Sequence, residues 1–374
     1  MPLVQDEDKY VPGEEKYWVA FSRVSGIGLV RLQRLEAFFG SLEAAWRASA
    51  GGLMAAGLEP KLVERTLILR RTFQPEREEE RIADLEIQAV YLHHPTYPER
   101  LRQVDNPPPV LYIKGKLTPS DDYALAVVGT RRATSYGREA THKIVSELAR
   151  QGMTIVSGLA VGIDTFAHHA ALAANGRTIA ILGCGVDILY PLSNVRLAAQ
   201  ICEGHGALIA EYPPGTQPEP GNFPPRNRII SGLSRGVLVV ESGLKGGALI
   251  TVDFANEQGR DIFAVPGSIL NKASDGTNAL LRQGAKAVMC AGDILEDLNL
   301  MRLADQVEVR QVVGTNDVER ALLRILADQP LHVDEICQAS GLASNDVSSA
   351  LVMMELKGMI KNLGAMRYIV AKGA

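Results

Sequence analysis

The chain has 374 residues, of which 46% are hydrophobic and 22% charged, a composition typical of globular domains that excludes wholesale disorder. It carries 39 basic and 43 acidic side chains, so a site for a polyanion must be a local cluster rather than a generally basic surface. At about 150 residues per domain, this length corresponds to two or three domains.

Several other classes of protein are disfavoured by the sequence. Its apolar runs are much shorter than the roughly 20 residues of a membrane-spanning helix, and the acidic N-terminus lacks the apolar segment of a secretory signal. The cysteines have no paired spacing, which predicts neither a disulfide framework nor a zinc site. We therefore expect a cytoplasmic protein with no membrane association, no metal and no other cofactor. The four cysteines are Cys184, Cys202, Cys290 and Cys337.

The first segment is predicted to be helical. Apolar residues recur at helical spacing over 16–86, and glycines at Gly40, Gly51-Gly52 and Gly57 are expected to divide it into short helices. We assign residues 1–86 to an N-terminal helical domain. The proline-rich segment 106–109 reads as a boundary or a rigid connector.

The central segment has a different pattern, in which short apolar or β-branched runs alternate with helical segments. This alternation predicts βαβ units, hence an α/β fold with a Rossmann-like parallel sheet covered by helices on both faces. An eightfold barrel is disfavoured because too few runs are visible across less than its usual length. We assign residues 87–300 to this domain. The runs are 123–129, 153–157, 178–183, 207–211, 236–241, 261–265 and 285–289.

The last segment is predicted to be a small separate domain. Residues 301–316 are polar and unpatterned and read as a linker. Residues 317–374 then show a winged-helix pattern of three helices followed by a hairpin that turns at Gly364. The three predicted helices cover 317–327, 333–339 and 345–357.

Glycines, small hydroxyl residues and arginines follow the predicted strands. Because ligands of open parallel sheets bind beyond the carboxyl ends of the strands, these loops predict an anion site. The alternative is that the glycines only make tight turns between strand and helix. The loops are Gly129-Thr130-Arg131-Arg132, Ser157-Gly158, Gly183-Cys184-Gly185, Glu211-Tyr212-Pro213 and Glu241-Ser242-Gly243.

The loops match neither the dinucleotide fingerprint nor the phosphate-binding loop of nucleotide hydrolases. Arg131 directly follows a strand and is expected to contact phosphates. The alternative is that it is a surface arginine that only solvates its loop. Arg226 and Arg228 are placed in the first turn of a helix beginning near Arg226, where bound phosphate would compensate their charge. Phe223 is predicted either to stack on a base or to pack on its own helix as a hydrophobic staple.

Candidates for catalysis are weak. His168 and His169 are adjacent on a helix and point to different faces, so they are poor joint metal ligands. Ser157 lacks the nucleophile-elbow motif. Glu241 is the best carboxylate candidate, but no second carboxylate is spaced with it. The sequence therefore predicts a protein that is not an enzyme.

Five motifs in this order resemble the DNA-processing protein A family (DprA, also called Smf). They are AVVGTR at 126–131, SGLAVGID at 157–164, LGCG at 182–185, FPPRNRIISGLS at 223–234 and VPG at 265–267. The resemblance implies an extended Rossmann-like sheet, an N-terminal SAM-like or helix-hairpin-helix domain with its hairpin at Ser25–Gly28, and a C-terminal winged helix.

The same resemblance implies a function. Members of this family are expected to bind single-stranded DNA without sequence preference, to form homodimers, to protect incoming DNA and to load RecA onto it during natural transformation. A single-strand-binding protein is a further expected partner. The positions matching the family's DNA contacts are Arg131, Ser157, Gly158, Phe223, Arg226 and Arg228.

Two other functions are considered. Rossmann-like nucleotide phosphoribohydrolases of the LOG group share the sheet, and Lys245 to Ala248 with Glu257 faintly resembles their glycine-rich loop and glutamate, without the full motif. A winged-helix transcription regulator is disfavoured because the third helix, 345–357, has a single lysine. We expect the winged unit to contact proteins or to be structural. The hairpin at Ser25–Gly28 either binds duplex phosphates or only joins two helices.

Overall fold

The computed structural model describes residues 10–300, 331–356, 360–362 and 366–370, together with 319, 321, 322, 325 and 326. The chain divides into two compact units, Met1–Leu298 and Asn299–Ala374. Within the residues described, no helix combines the length and the hydropathy needed to cross a membrane.

Six short helices open the first unit, as the apolar spacing predicts. Gly40 ends the second of them with φ at +81°, a conformation that suits glycine. Gly51 and Gly52, predicted to break the chain, instead lie inside the fourth helix, because the hydroxyl of Ser49 accepts the amide of Gly52 and caps it. The helices are α1 Glu15–Ser22, α2 Leu29–Phe39, α3 Leu42–Arg47, α4 Ala50–Ala55, α5 Pro60–Thr72 and α6 Pro75–Asp84.

The hairpin between α1 and α2 is a tight turn held by arginines. Gly26 has φ at +100°, the carbonyl of Ser25 accepts Arg65 Nη1 at 2.8 Å, and the carbonyl of Gly26 accepts Arg31 Nη1 at 3.1 Å. These contacts join the turn to α5 and α2. A contact of this turn with duplex DNA stays a prediction.

A mixed sheet of nine strands forms the centre of the unit, and most of it is parallel. The Rossmann-like prediction is confirmed, and each of the seven predicted runs overlaps one parallel strand. These strands are β3 Ala124–Val128, β4 Thr154–Ser157, β5 Thr178–Ile181, β6 Gly206–Ala210, β7 Gly236–Val239, β8 Asp261–Ala264 and β9 Lys286–Ala287.

Two further strands, β1 Ile87–Tyr91 and β2 Val110–Gly115, extend one edge of the sheet. They pair with each other in antiparallel fashion, and β2 pairs antiparallel with β6. The proline-rich segment 106–109, interpreted as a connector or boundary, leads directly into β2. The hydrophobic core runs without a break from the N-terminal helices to the sheet, and the proposed division of the chain at residue 86 stays a prediction.

The strand order is β1-β2-β6-β5-β4-β3-β7-β8-β9. From β3, the chain proceeds through β4, β5 and β6 to one side and later through β7, β8 and β9 to the other. The strand order therefore reverses between β3 and β7, where such sheets open a crevice. The helices of this part are α7 Glu99–Arg102, α8 Ser135–Arg150, α9 Ile163–Ala173, α10 Val195–Gln200, α11 Phe223–Gly232, α12 Ala248–Glu257, α13 Asp275–Arg282 and α14 Ala291–Asp297.

The second unit has the predicted winged-helix elements. Helix α15 Val333–Ser340 ends at Gly341, where φ is +67°, and α16 Ser344–Leu356 follows it. A three-stranded sheet is formed by β10 Leu331–His332, β11 Ile360–Asn362 and β12 Arg367–Val370. The predicted linker 301–316, most of the predicted helix 317–327 and the turn at Gly364 lie outside the described residues. That this unit contacts proteins stays a prediction.

Candidate nucleic-acid interface

A cleft of about 480 Å³ lies at the carboxyl ends of β3 and β7, where the strand order reverses. Four segments form its walls: the loop after β3, the loop after β4, the start of α11 and the start of α12. The segments after β3, β4 and β7 agree with the prediction made from the strand ends, whereas the predicted loops after β5 and β6, residues 183–185 and 211–213, do not line the cleft. The lining residues are Val128, Gly129, Thr130, Arg131, Arg132, Ala160, Asp164, Phe223, Pro224, Arg226, Asn227, Ile230, Gly246, Gly247, Ala248, Ile250 and Thr251.

Arg226 contributes a buried positive charge to this cleft, since its side chain is only 4% exposed. Its Nη1 donates to the carbonyl oxygens of Gly158, at 2.9 Å, and of Ile181. Among the described residues, its Nε has no hydrogen-bond partner. Burial lowers the pKa of Arg226 to about 10, so the guanidinium is still charged at neutral pH. The cleft therefore has a fixed cation in its wall.

Asp164, in the first turn of α9, is the carboxylate nearest to this charge. Its Oδ2 accepts the amides of Gly158, at 3.1 Å, and Ala160, at 3.4 Å. Burial raises the pKa of Asp164 to about 6, although Arg226 and the two amides act in the opposite direction. Asp164 is thus only mostly ionised at neutral pH and incompletely neutralises Arg226.

Glu241 positions the loop that carries Arg131. Its backbone carbonyl accepts the amide of Thr130 at 2.8 Å. Its carboxylate accepts the amide of Thr134 at 2.9 Å and the hydroxyl of Thr134 at 2.5 Å. Glu241 is 1% exposed, so this candidate carboxylate anchors the loop rather than facing the cleft. Arg131 and Arg132 are exposed beyond the anchor.

The loop after β4 packs tightly against the same arginine loop. Gly162 has φ at +89° and ψ at −133°, a conformation essentially reserved for glycine. A Cβ at this position would lie 2.3 Å from the carbonyl oxygen of Thr130 and 2.7 Å from the Cα of Arg131. The close approach of two backbones therefore requires glycine at 162.

The other predicted DNA contacts lie near the cleft but do not line it. Ser157 is fully buried, and its hydroxyl donates to the carbonyl of Val127 at 2.6 Å, while the amide of Gly158 donates to Asp164. Arg228 is half-buried and pairs with Glu211, with Nη2 at 2.7 Å from Oε2. Bonds within the protein thus already engage the Ser157 hydroxyl, the Gly158 amide and the guanidinium of Arg228.

Phe223 is the first residue of α11, which begins three residues earlier than predicted. The reason is that Pro224 and Pro225 are tolerated in a first helical turn, where amide donors are not needed. The half-buried Phe223 ring lines the cleft. Its centroid lies 5.7 Å from that of Tyr190, with the planes at 44°, and 5.9 Å from the guanidinium carbon of Arg226. An aromatic surface therefore adjoins the buried cation.

The histidines are not arranged for catalysis. His168 is fully buried, with Nδ1 2.7 Å from the hydroxyl of Thr178, and burial lowers its pKa to about 3. It is therefore neutral at physiological pH, whereas His169 is exposed. In the part of the chain that the structure describes, no three His, Cys, Asp or Glu side chains group closely enough to hold a metal ion.

Comparison with protein families gives matches over both units. The model of DNA recombination-mediator protein A matches residues 88–299, and that of the DprA winged helix domain matches residues 309–366. The chain is 38% identical to Protein Smf from Synechocystis sp., covering 95% of this chain and 98% of that protein. It is 46% identical to DNA processing protein DprA from Bacillus subtilis, covering 54% and 68%.

Two solved structures are similar to this one. The X-ray structure of DprA from Streptococcus pneumoniae has a TM-score of 0.65 and 34% identity, covering 75% of this chain and 97% of that chain. The structure of DprA from Helicobacter pylori, which concerns its single-stranded DNA binding mode, has a TM-score of 0.51 and 30% identity, covering 57% and 96%. This chain therefore belongs to the DNA recombination-mediator protein A family, whose members are called DprA or Smf.

Proposed function

We propose that this protein binds single-stranded DNA without sequence preference through the cleft between β3 and β7, and that it acts as a binding protein rather than an enzyme. The observation that carries this proposal is the buried charge of Arg226 in the wall of the cleft, beside the exposed Arg131 and Arg132. A phosphate supplies negative charge to this cluster of three guanidinium groups. The single-stranded DNA binding of the Helicobacter pylori relative supports the same ligand.

Single-stranded DNA suits the cleft better than a duplex. Arg131, Arg132 and Arg226 supply phosphate contacts, and Phe223 supplies an aromatic face beside them. This combination is typical of sequence-tolerant grooves for single strands, because every base has a face that can stack. Duplex DNA keeps its base faces stacked inside the helix and would leave the aromatic ring unused.

We further propose that the bound strand is passed to RecA during recombination of DNA taken up by the cell, with protection of the strand until then. The family's description as a recombination mediator supports this step. A homodimer and a contact with single-strand-binding protein are parts of the same proposal. We propose that Ser157, Gly158 and Arg228 shape the interface rather than contact DNA directly, because each is already bonded within the protein.

The geometry disfavours a nucleotide phosphoribohydrolase. The glycine-rich segment does line the cleft, through Gly246 and Gly247. Glu257, however, is the exposed last residue of α12. It lies about 9 Å along the helix beyond Thr251, the last α12 residue that lines the cleft, and it does not itself line the cleft.

Arg131→Ala is expected to weaken binding to oligo-dT and to reduce the salt dependence of that binding. The exposed guanidinium forms a phosphate contact that releases about one counterion, so the slope of log K against log salt should become less negative by about 0.7. Fluorescence anisotropy of a labelled oligo-dT, titrated with salt, measures both quantities. Wild-type protein that fails to bind at low salt would overturn the proposed function, and an unchanged slope would exclude Arg131 from the phosphate contacts.

Binding is expected to strengthen as pH falls from 7.5 to 5.5. Asp164 has a pKa of about 6 in the free protein, and a phosphate beside Arg226 disfavours its ionised form further. DNA binding therefore takes up a proton, and a lower pH favours the bound state. We expect a gain of a few-fold to about tenfold, given that each unit of pKa change corresponds to about 1.4 kcal/mol.

The control for this pH effect is Asp164→Asn, which keeps an acceptor for the amides of Gly158 and Ala160 but does not titrate. It should bind at least as tightly as wild type at pH 7.5, with a flatter pH dependence at constant ionic strength. All other titratable groups are the same in both proteins, so their contributions cancel in the comparison. Parallel pH profiles for the two proteins would exclude Asp164 as the linked group.

A further inference from the structure

An exposed apolar segment follows β5 and lies next to the cleft. Tyr190 is 48% exposed and Leu192 is 83% exposed, and we call these two residues the apolar ledge. The Tyr190 ring contacts Phe223, which lines the cleft. The ledge is therefore continuous with the proposed DNA site, although neither of its residues lines the cleft itself.

The ledge is held in place by a buried side chain. Asn194, 5% exposed, donates through Nδ2 to the carbonyl of Leu159 and to the hydroxyl of Thr165, both at 2.8 Å. Leu159 and Thr165 flank Ala160 and Asp164, which line the cleft. A buried amide with two such bonds ties the segment after β5 to the segment after β4. The exposure of Tyr190 and Leu192 is thus a property of an anchored surface.

We propose that the apolar ledge stacks the bases of the strand whose phosphates occupy the cleft, with Tyr190 as a base-contacting residue. This inference rests on the proposed function and adds to it a path for the strand, with phosphates at the β3–β7 crevice and bases toward the β5 side. The sugar offsets each base from its phosphate, so an aromatic face beside the phosphate cleft is placed to receive a base.

Charge and composition support this occupant over a protein segment. The ledge is apolar and adjoins a cationic cleft, which matches the alternation of apolar base faces and anionic phosphates along one strand. The exposed Tyr190 ring and the half-buried Phe223 ring together form one aromatic surface, in which the two ring planes are inclined at 44°.

The test compares Tyr190→Ala, Tyr190→Phe and wild type on two labelled oligonucleotides of equal length, one of dT and one whose sugars carry no bases. Tyr190→Ala should weaken binding to dT by about 5- to 150-fold, the effect of losing one base–aromatic stack. Binding to the abasic strand should not change, and Tyr190→Phe should bind dT as wild type does. The salt slope should be unaffected, because no phosphate contact is removed.

Phe38→Ala is the matched control, because Phe38 is 55% exposed on α2, outside the cleft. It should bind both strands as wild type does. No loss on dT with Tyr190→Ala, or an equal loss on dT and abasic strands, would overturn the inference. An equal loss accompanied by a change in molecular mass in light scattering would assign the ledge to a protein interface instead. Failure of wild type to bind either strand would overturn the proposed function itself.

Discussion

Arg226→Met is expected to weaken binding of single-stranded DNA by about 30-fold or more while the protein stays folded. Loss of a buried, hydrogen-bonded charge from an interface costs about 2–5 kcal/mol of binding free energy. Arg226 lines the cleft and is only 4% exposed, so its phosphate contact would be largely desolvated. Anisotropy with oligo-dT measures the loss.

The fold should tolerate this change. Methionine fills most of the volume of the arginine side chain and removes a desolvated charge. The carbonyls of Gly158 and Ile181 lose donors at about 1–3 kcal/mol each, and the buried Asp164 loses the charge that favours its ionised form. We therefore expect a fall in the thermal midpoint of several degrees, measured by circular dichroism, and an unchanged far-ultraviolet spectrum below that midpoint.

Arg235→Met is the matched control, since it removes the same charge elsewhere. Arg235 precedes β7, at the amino end of the sheet, and pairs with Asp122 at 2.7 Å. The Arg235→Met protein should bind oligo-dT within about twofold of wild type, because a charge at the opposite end of the sheet is largely screened from the cleft. Equal losses in the two variants would show that net charge, rather than the cleft, governs binding.

The Arg226→Met protein should also fail to stimulate RecA assembly on DNA coated with single-strand-binding protein. RecA's DNA-dependent ATP hydrolysis reports this assembly. A variant that no longer binds DNA but stimulates RecA as wild type does would contradict the proposal that the strand bound in the cleft is passed to RecA.

Gly162→Ala is expected to reduce both stability and DNA binding strongly. The backbone at +89° and −133° costs about 1–3 kcal/mol for a residue with a Cβ. The new methyl group would also lie 2.3 Å from the carbonyl oxygen of Thr130 and 2.7 Å from the Cα of Arg131. The Arg131 loop must therefore move, and we expect a fall in the thermal midpoint of several degrees and at least a tenfold loss of affinity for oligo-dT.

Gly259→Ala separates the cost of the strained backbone from the effect of the steric clash with the Arg131 loop. Gly259 also has a positive φ, +64°, but no atom lies within 4 Å of the point that a Cβ would occupy there. This variant should lose about 1–2 kcal/mol of stability from the left-handed backbone alone and keep wild-type affinity. A Gly162→Ala protein that binds oligo-dT as tightly as Gly259→Ala does would show that the Arg131 loop is not part of the DNA site.

The parallel part of the fold could be predicted because its signal is local. Each parallel strand is a short run of apolar residues buried on both faces, such as Ala124–Val128, followed by a turn rich in glycine. These runs place Arg131 at a strand end without any knowledge of pairing. By contrast, β1 and β2 lie on either side of a long loop and pair antiparallel at the edge of the sheet, and nothing in their local pattern indicated that they join it.

The sequence by itself determined the α/β class, the winged-helix domain and the family resemblance, because these depend on periodicity and on contiguous motifs. Only the tertiary structure decided which charges are available. Arg228 meets Glu211 across 17 positions, and Glu241 meets Thr134 across 107, so one arginine is neutralised and one carboxylate becomes an anchor. Arg226 is left as a buried cation in the wall of the cleft, since burial and pairing depend on residues that folding brings together from distant parts of the chain.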